Sequence, residues 1–177
     1  MAGIVHSIVG ALLIGALNTF GDFVWARFIP AHRPLFGLLH GTMLSLGIGL
    51  YLGALRRLAA RGAMAGALIG LGAAGGYYLL ARFVGYTAMF VLWMALWAAF
   101  GLLDALALGE PRSSVGTALT RGAMAAVGSG AAFFAVSGLW TRPLSGGPDY
   151  AYNFLCWTIA FLPGFLSLLL GKSSYSS

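Results

Sequence analysis

The sequence predicts an all-α membrane protein, a six-transmembrane-helix bundle held together by small-residue packing stripes. Three observations carry that reading. Apolar residues make up 60% of the 177-residue chain. Only 8% of residues are charged, against about 25% in a soluble domain, so the chain cannot cover a water-facing surface. The apolar residues also fall into six runs, each near the ~20 residues that cross the hydrocarbon as a helix.

The runs occupy residues 4–25, 35–55, 63–81, 84–108, 115–137 and 150–170. The first lacks a basic leader, so it is expected to remain as a helix. Pro30 and Pro34 break the chain before the second run, Pro111 before the fifth, and Pro143 and Pro148 before the sixth. Residues 1–171 form one expected domain, and 172–177 a short polar tail outside it.

Ten Lys and Arg against four Asp and Glu give a net charge of +6. These basic residues sit between the apolar runs, as membrane-flanking charges do, which argues against a nucleic-acid partner. Arg56, Arg57, Arg61, Arg112, Arg121 and Lys172 fall on one side, and Arg27, Arg33, Arg82 and Arg142 on the other. That bias places both termini in the cytoplasm.

Two kinds of stripe recur on the runs. Gly37, Gly41, Ser45, Gly49 and Gly53 repeat every four residues in the second run. The third has Gly62, Gly66 and Gly70, and the fifth Gly122, Ala126 and Gly130. Such spacing lets helix backbones approach closely in lipid. A short echo joins the third and fifth runs, "RGAMAGALIG" at 61–70 and "RGAMAAVGSG" at 121–130. The fourth run instead places Phe90, Trp93, Trp97, Phe100 and Asp104 on one face, and the sixth carries Phe154, Trp157 and Phe161 in the same pattern.

Candidate chemistry is sparse. The three histidines are His6, His32 and His40. His6 and His40 enter their helices from opposite sides, so a haem or metal between them fails on geometry. The lone Cys156 rules out an internal disulfide and reads as packing. Asp22 and Asp149 fall on one side, but nothing in the sequence fixes their distance. Asp22, with Arg27, His32 and Arg33 nearby, reads as a solvated loop salt bridge. Polar atoms within the runs come from Asn18, Thr42, Ser45, Thr87, Ser129 and Thr158, a thin inventory for a proton-coupled path. An aromatic-walled pocket for a lipid suits it better, formed by Phe90, Trp93, Trp97, Phe100, Phe154 and Trp157. The same stripes also suit plain helix packing.

Two segments resemble the Insig (insulin-induced gene) family. "LWMALWAAFGLLDAL" (92–106) is similar to that family's Trp-bearing fourth helix, which ends in an Asp. "GLWTRPLSGGPDYAYNFLCWTIAFLPG" (138–164) is similar to its passage from helix five to helix six. The family's Asp is followed directly by basic residues, whereas here Arg112 stands eight positions after Asp104. The resemblance implies a non-enzymatic, cofactor-free protein holding a diacylglycerol-like or sterol-like lipid in a central cavity. Animal members hold sterol-sensing partners in the endoplasmic reticulum, so a membrane-protein partner or a second copy of the chain is a further expectation. The Ala/Gly/Arg-rich composition points to a bacterial member and an inner-membrane location. The alternative function is a small transporter or channel for an apolar or amphipathic solute.

Asp104 follows an uncharged stretch, 83–103, long enough to span the hydrocarbon. It is therefore expected at the cytoplasmic boundary, paired with Arg112, Arg121 or Arg61, in a helix that continues to a stop at Gly109. From the end of the aromatic stripe it would close the cavity mouth or offer a charge to a partner.

Overall fold

The computed structural model describes residues 1–28, 33–108, 115–137 and 149–170. Six helices occupy them: α1 (Ala2–Phe28), α2 (Arg33–Ala54), α3 (Ala59–Val84), α4 (Thr87–Leu106), α5 (Val115–Ser137) and α6 (Tyr150–Leu169). Each contains a stretch long and apolar enough to cross a membrane. The expectations for Gly109, Arg112, Arg142, His32 and the 172–177 tail lie outside the described residues.

Helix boundaries follow local chemistry. Gly85 ends α3 with φ +60, a conformation cheap only without a Cβ. The fourth helix therefore starts at Thr87, after the turn, instead of at 84. It ends at Leu106, where the Ala107 and Leu108 amides both turn back to the Leu103 carbonyl. Asp149 caps α6 by accepting from the Tyr152 amide at 3.0 Å. That cap gives Asp149 a structural task.

The helices pack as a ring in chain order, each on the next, and α1 against α6 closes it. Only α4 reaches across, touching α2 and α6. Both ends of the bundle chain meet on one face, since a Cβ on Gly3 would lie 2.6 Å from the Leu169 carbonyl oxygen. Large apolar side chains point outward all around the ring, among them Leu12, Leu39, Leu68, Phe83, Phe134 and Leu155. In water such a surface would aggregate; in lipid it is solvated.

Glycines set the closest helix approaches. A Cβ on Gly49 would strike the Gly62 carbonyl and stand 2.9 Å from Gly66 Cα. One on Gly53 would stand 3.0 Å from Gly62 Cα. In the next hairpin, a Cβ on Gly101 would strike Gly122 Cα. Thus the two echo segments do the same work: the glycine after each arginine lies against the backbone of the preceding helix. Gly41 is different, with Ala74 Cβ at 3.0 Å and the Gly70 carbonyl at 3.9 Å. Gly72 has nothing within 4 Å. Replacing Gly72 with alanine removes a helix-interior glycine without a clash, so Gly72→Ala should stabilise the protein by up to ~1 kcal/mol. A lowered melting temperature would contradict the open surroundings of this site.

Candidate functional site

A cavity of about 700 Å³ occupies one half of the ring, within the roughly 300–1,000 Å³ typical of small-molecule sites. Its walls come from the C-terminal halves of α1, α3 and α5 and the N-terminal halves of α2, α4 and α6. All of these lie toward the end that carries Arg27 and Arg82. Gly37, Gly41, Gly70, Ala73 and Ala74 give the space, because small residues on α2 and α3 leave the interior unfilled. Leu44, Met89, Leu92 and Leu96 supply apolar wall, and Tyr77, Tyr78 and Tyr86 ring the outer part. Tyr86, in the α3–α4 turn, has its phenol pushed above the ordinary value by partial burial and then by nearby Tyr77. It is a neutral group there.

Trp93, Phe133 and Trp157 form a stacked aromatic wall. Trp93 lies 4.6 Å from Phe133 at 13°, and Phe133 lies 5.7 Å from Trp157 at 20°. A buried polar chain fixes the Trp93 ring: its Nε1 donates to Ser129 Oγ at 2.8 Å, and that hydroxyl donates to the Ala160 carbonyl at 2.6 Å.

The polar end of the cavity is a network between α1, α2 and α6. Asp22 Oδ2 accepts from Trp157 Nε1 at 2.8 Å, Asn153 Nδ2 at 3.3 Å and Asn18 Nδ2 at 3.4 Å. His40 Nε2 lies 2.8 Å from Asn18 Oδ1. An amide oxygen only accepts, so this contact places the proton on Nε2. Nδ1 is buried against Gly21 and has no hydrogen-bond partner. Asn18 with Asp22, and Asn153 with Trp157, are each four residues apart, on one face of adjoining helices. Asp22, Asn18, His40 and Trp157 line the cavity.

The aromatic stripe read from the sequence divides. Trp93 and Trp157 line the cavity. Trp97 and Phe100 do not; both are fully buried, and with Phe161 and Phe165 they form a packed layer below it. Phe90 packs on Phe133 behind the wall, with centroids 5.3 Å apart. Phe154 faces a shallower apolar groove with Phe20, Phe23 and Tyr150. The division arises because four-and-three spacing puts residues on one face of a helix, while the cavity reaches only half its length.

Asp104 stands eight residues beyond Leu96, about 12 Å further along α4. It is at the opposite end from the cavity mouth, so it does not close it. Its carboxylate is buried and pairs with Arg56, at 3.7 Å. The expected Arg61 instead donates to the Ala107 carbonyl, at 3.4 Å. Arg56 reaches Asp104 from the α2–α3 turn, just past the end of α2, a meeting invisible in sequence.

Two residues of this polar network are not visible as such in the sequence. The sequence places Asp22 in a solvated loop, but α1 continues to Phe28 and carries it inside the bundle. Asn153 was not singled out; the paired four-residue spacings were the available signal. Among the described residues no group of three or more His, Cys, Asp or Glu could hold a metal ion.

Fold and site together define a multi-pass integral membrane protein, six apolar helices around a half-depth cavity. No family model, curated protein or solved structure matches the chain.

Proposed function

We propose that this protein binds a membrane lipid in the cavity, without catalysis, as a holding or sensing protein. The observation that carries the reading is the polarity of one 700 Å³ space: apolar and aromatic along its length, with Asp22, Asn18 and His40 gathered at one end. Asp22 lies within two residues of the end of its membrane span, Ala2–Val24. The polar end is thus near the interface, and Leu44, Ser45 and Leu96 are near mid-membrane. An amphiphile lying in one leaflet has the same profile. A diacylglycerol-like or sterol-like lipid is the reading suggested by the Insig resemblance, and both termini in the cytoplasm by the basic-residue bias.

Burial of an acyl chain against this wall gains little relative to the bilayer, so affinity must come from shape and a few polar contacts. Native mass spectrometry of protein extracted in gentle detergent should find a retained lipid. Trp93→Ala removes the centre of the wall and should cut that retention, while Phe154→Ala, at the separate groove, should not. Equal retention in both variants, or no lipid in the wild-type protein, would refute the reading. A second reading, transport of an amphipathic solute, is favoured by one observation: an ionisable Asp22 facing an intramembrane cavity. Solute flux in liposomes, lost in Asp22→Asn, would support it.

A further inference from the structure

We propose that the molecule held in the cavity carries a protonated amine as its head group, seated on Asp22. This rests on the reading above that the cavity binds an amphiphile, and replaces the hydroxyl head of a diacylglycerol-like or sterol-like lipid with a cationic one. Three neutral N–H groups are directed to Asp22 Oδ2, and no hydrogen bond from the described residues engages Oδ1. Among the described residues no arginine or lysine lines the cavity. His40, the nearest ionisable side chain, turns its Nε2 to the Asn18 oxygen and makes no hydrogen bond to the carboxylate itself.

An ionisable group lining an apolar cavity calls for a partner, and among the described residues no side-chain cation donates to this carboxylate, a place that a ligand can take. The surroundings favour a cation. Tyr77, Tyr78, Trp93 and Trp157 line the same space, and aromatic faces attract ammonium groups, most strongly where water is excluded. An ammonium offers three donors and no acceptor, matching a carboxylate oxygen and ring faces. A hydroxyl head would satisfy one acceptor and leave the charge unbalanced. A phosphate-bearing head would bring a second anion beside Asp22. The ligand class is therefore a single-cation amphiphile, either a long-chain base of the membrane or a cationic amphiphile from outside.

The test compares a long-chain primary alkylamine with the alcohol of equal chain length, added to the full-length protein in non-ionic detergent. Unfolding is followed through the buried thiol of Cys156. The amine should raise the melting temperature at concentrations about tenfold or more below the alcohol, the gap expected of a charge-assisted hydrogen bond. Asp22→Asn should close that gap, and Ala73→Phe, which fills the cavity, should abolish both effects. Should Asp22→Asn fail to fold, the wild-type comparison still decides. Equal stabilisation by amine and alcohol overturns the amine head and leaves the lipid reading standing. Stabilisation by neither, with no lipid retained in mass spectrometry, overturns both. A phosphate-free, amine-bearing lipid retained from the native membrane supports the proposal with a membrane source, whereas a retained phospholipid overturns it. Amine stabilisation without such a lipid supports it with an external one.

Discussion

Gly49→Leu should disrupt the bundle more than any other single glycine replacement on α2. Even a bare Cβ at this position meets the Gly62 carbonyl and Gly66 Cα. Both are backbone atoms, which cannot rotate away as a side-chain tip can. Overpacking typically costs about 1–3 kcal/mol where neighbours can yield, and here α3 must move as a unit. The cost should reach or exceed the upper end of that range. Gly41→Ala is the matched control on the same stripe, because its nearest neighbour is the Ala74 methyl at 3.0 Å, and one side of it faces the cavity. Thermal unfolding read from Cys156 reactivity should show a large fall for Gly49→Leu and a small change for Gly41→Ala. Equal melting temperatures would mean that α2 and α3 do not meet backbone to backbone.

Trp97→Ala should be the most damaging change on the aromatic stripe. The Trp97 ring is wholly buried, lies against Gly164, and meets Phe165 edge-on at 5.4 Å and 84°. Truncating a core tryptophan costs about 3–5 kcal/mol in soluble proteins. Separated helices in a membrane remain in lipid, so the transfer part of that cost shrinks and the packing part remains. A loss near ~3 kcal/mol is expected on that basis. The indole Nε1 has no hydrogen-bond partner. Trp97→Phe therefore loses volume without orphaning a polar group, and should cost distinctly less. Because Trp97 belongs to the layer beneath the cavity, its removal also joins that space to the lower half of the bundle. Trp97→Ala should thus lower stability strongly and alter what the cavity retains, whereas Trp93→Ala should mainly alter retention. If the two variants melt alike, the division of the stripe into wall and floor is wrong.

Part of this was legible in one dimension. Composition and run length are sufficient for a six-helix membrane bundle, because crossing lipid requires each segment to satisfy its own backbone in a helix. Small residues every four positions mark the close approaches at Gly49, Gly62 and Gly66, since a helical face is a local property of spacing. Trp93 and Trp157 could likewise be singled out as aromatic faces turned inward.

The rest depends on which helices become neighbours and at what height. Nothing local says that α1 closes the ring against α6, and only that contact brings Asn153 and Trp157 to Asp22. The placement of the α2–α3 turn beside α4 brings Arg56 to Asp104, while Arg61 goes to the Ala107 carbonyl. Depth decides that Trp93 lines a cavity while Trp97, one turn on, closes it from below. The sequence by itself therefore determined the class, the number of spans and the packing faces, all of which follow from hydrophobicity and helical period. Tertiary structure alone decided the cavity, its polar end and the ion pair, because each is assembled from residues on different helices at matching depth.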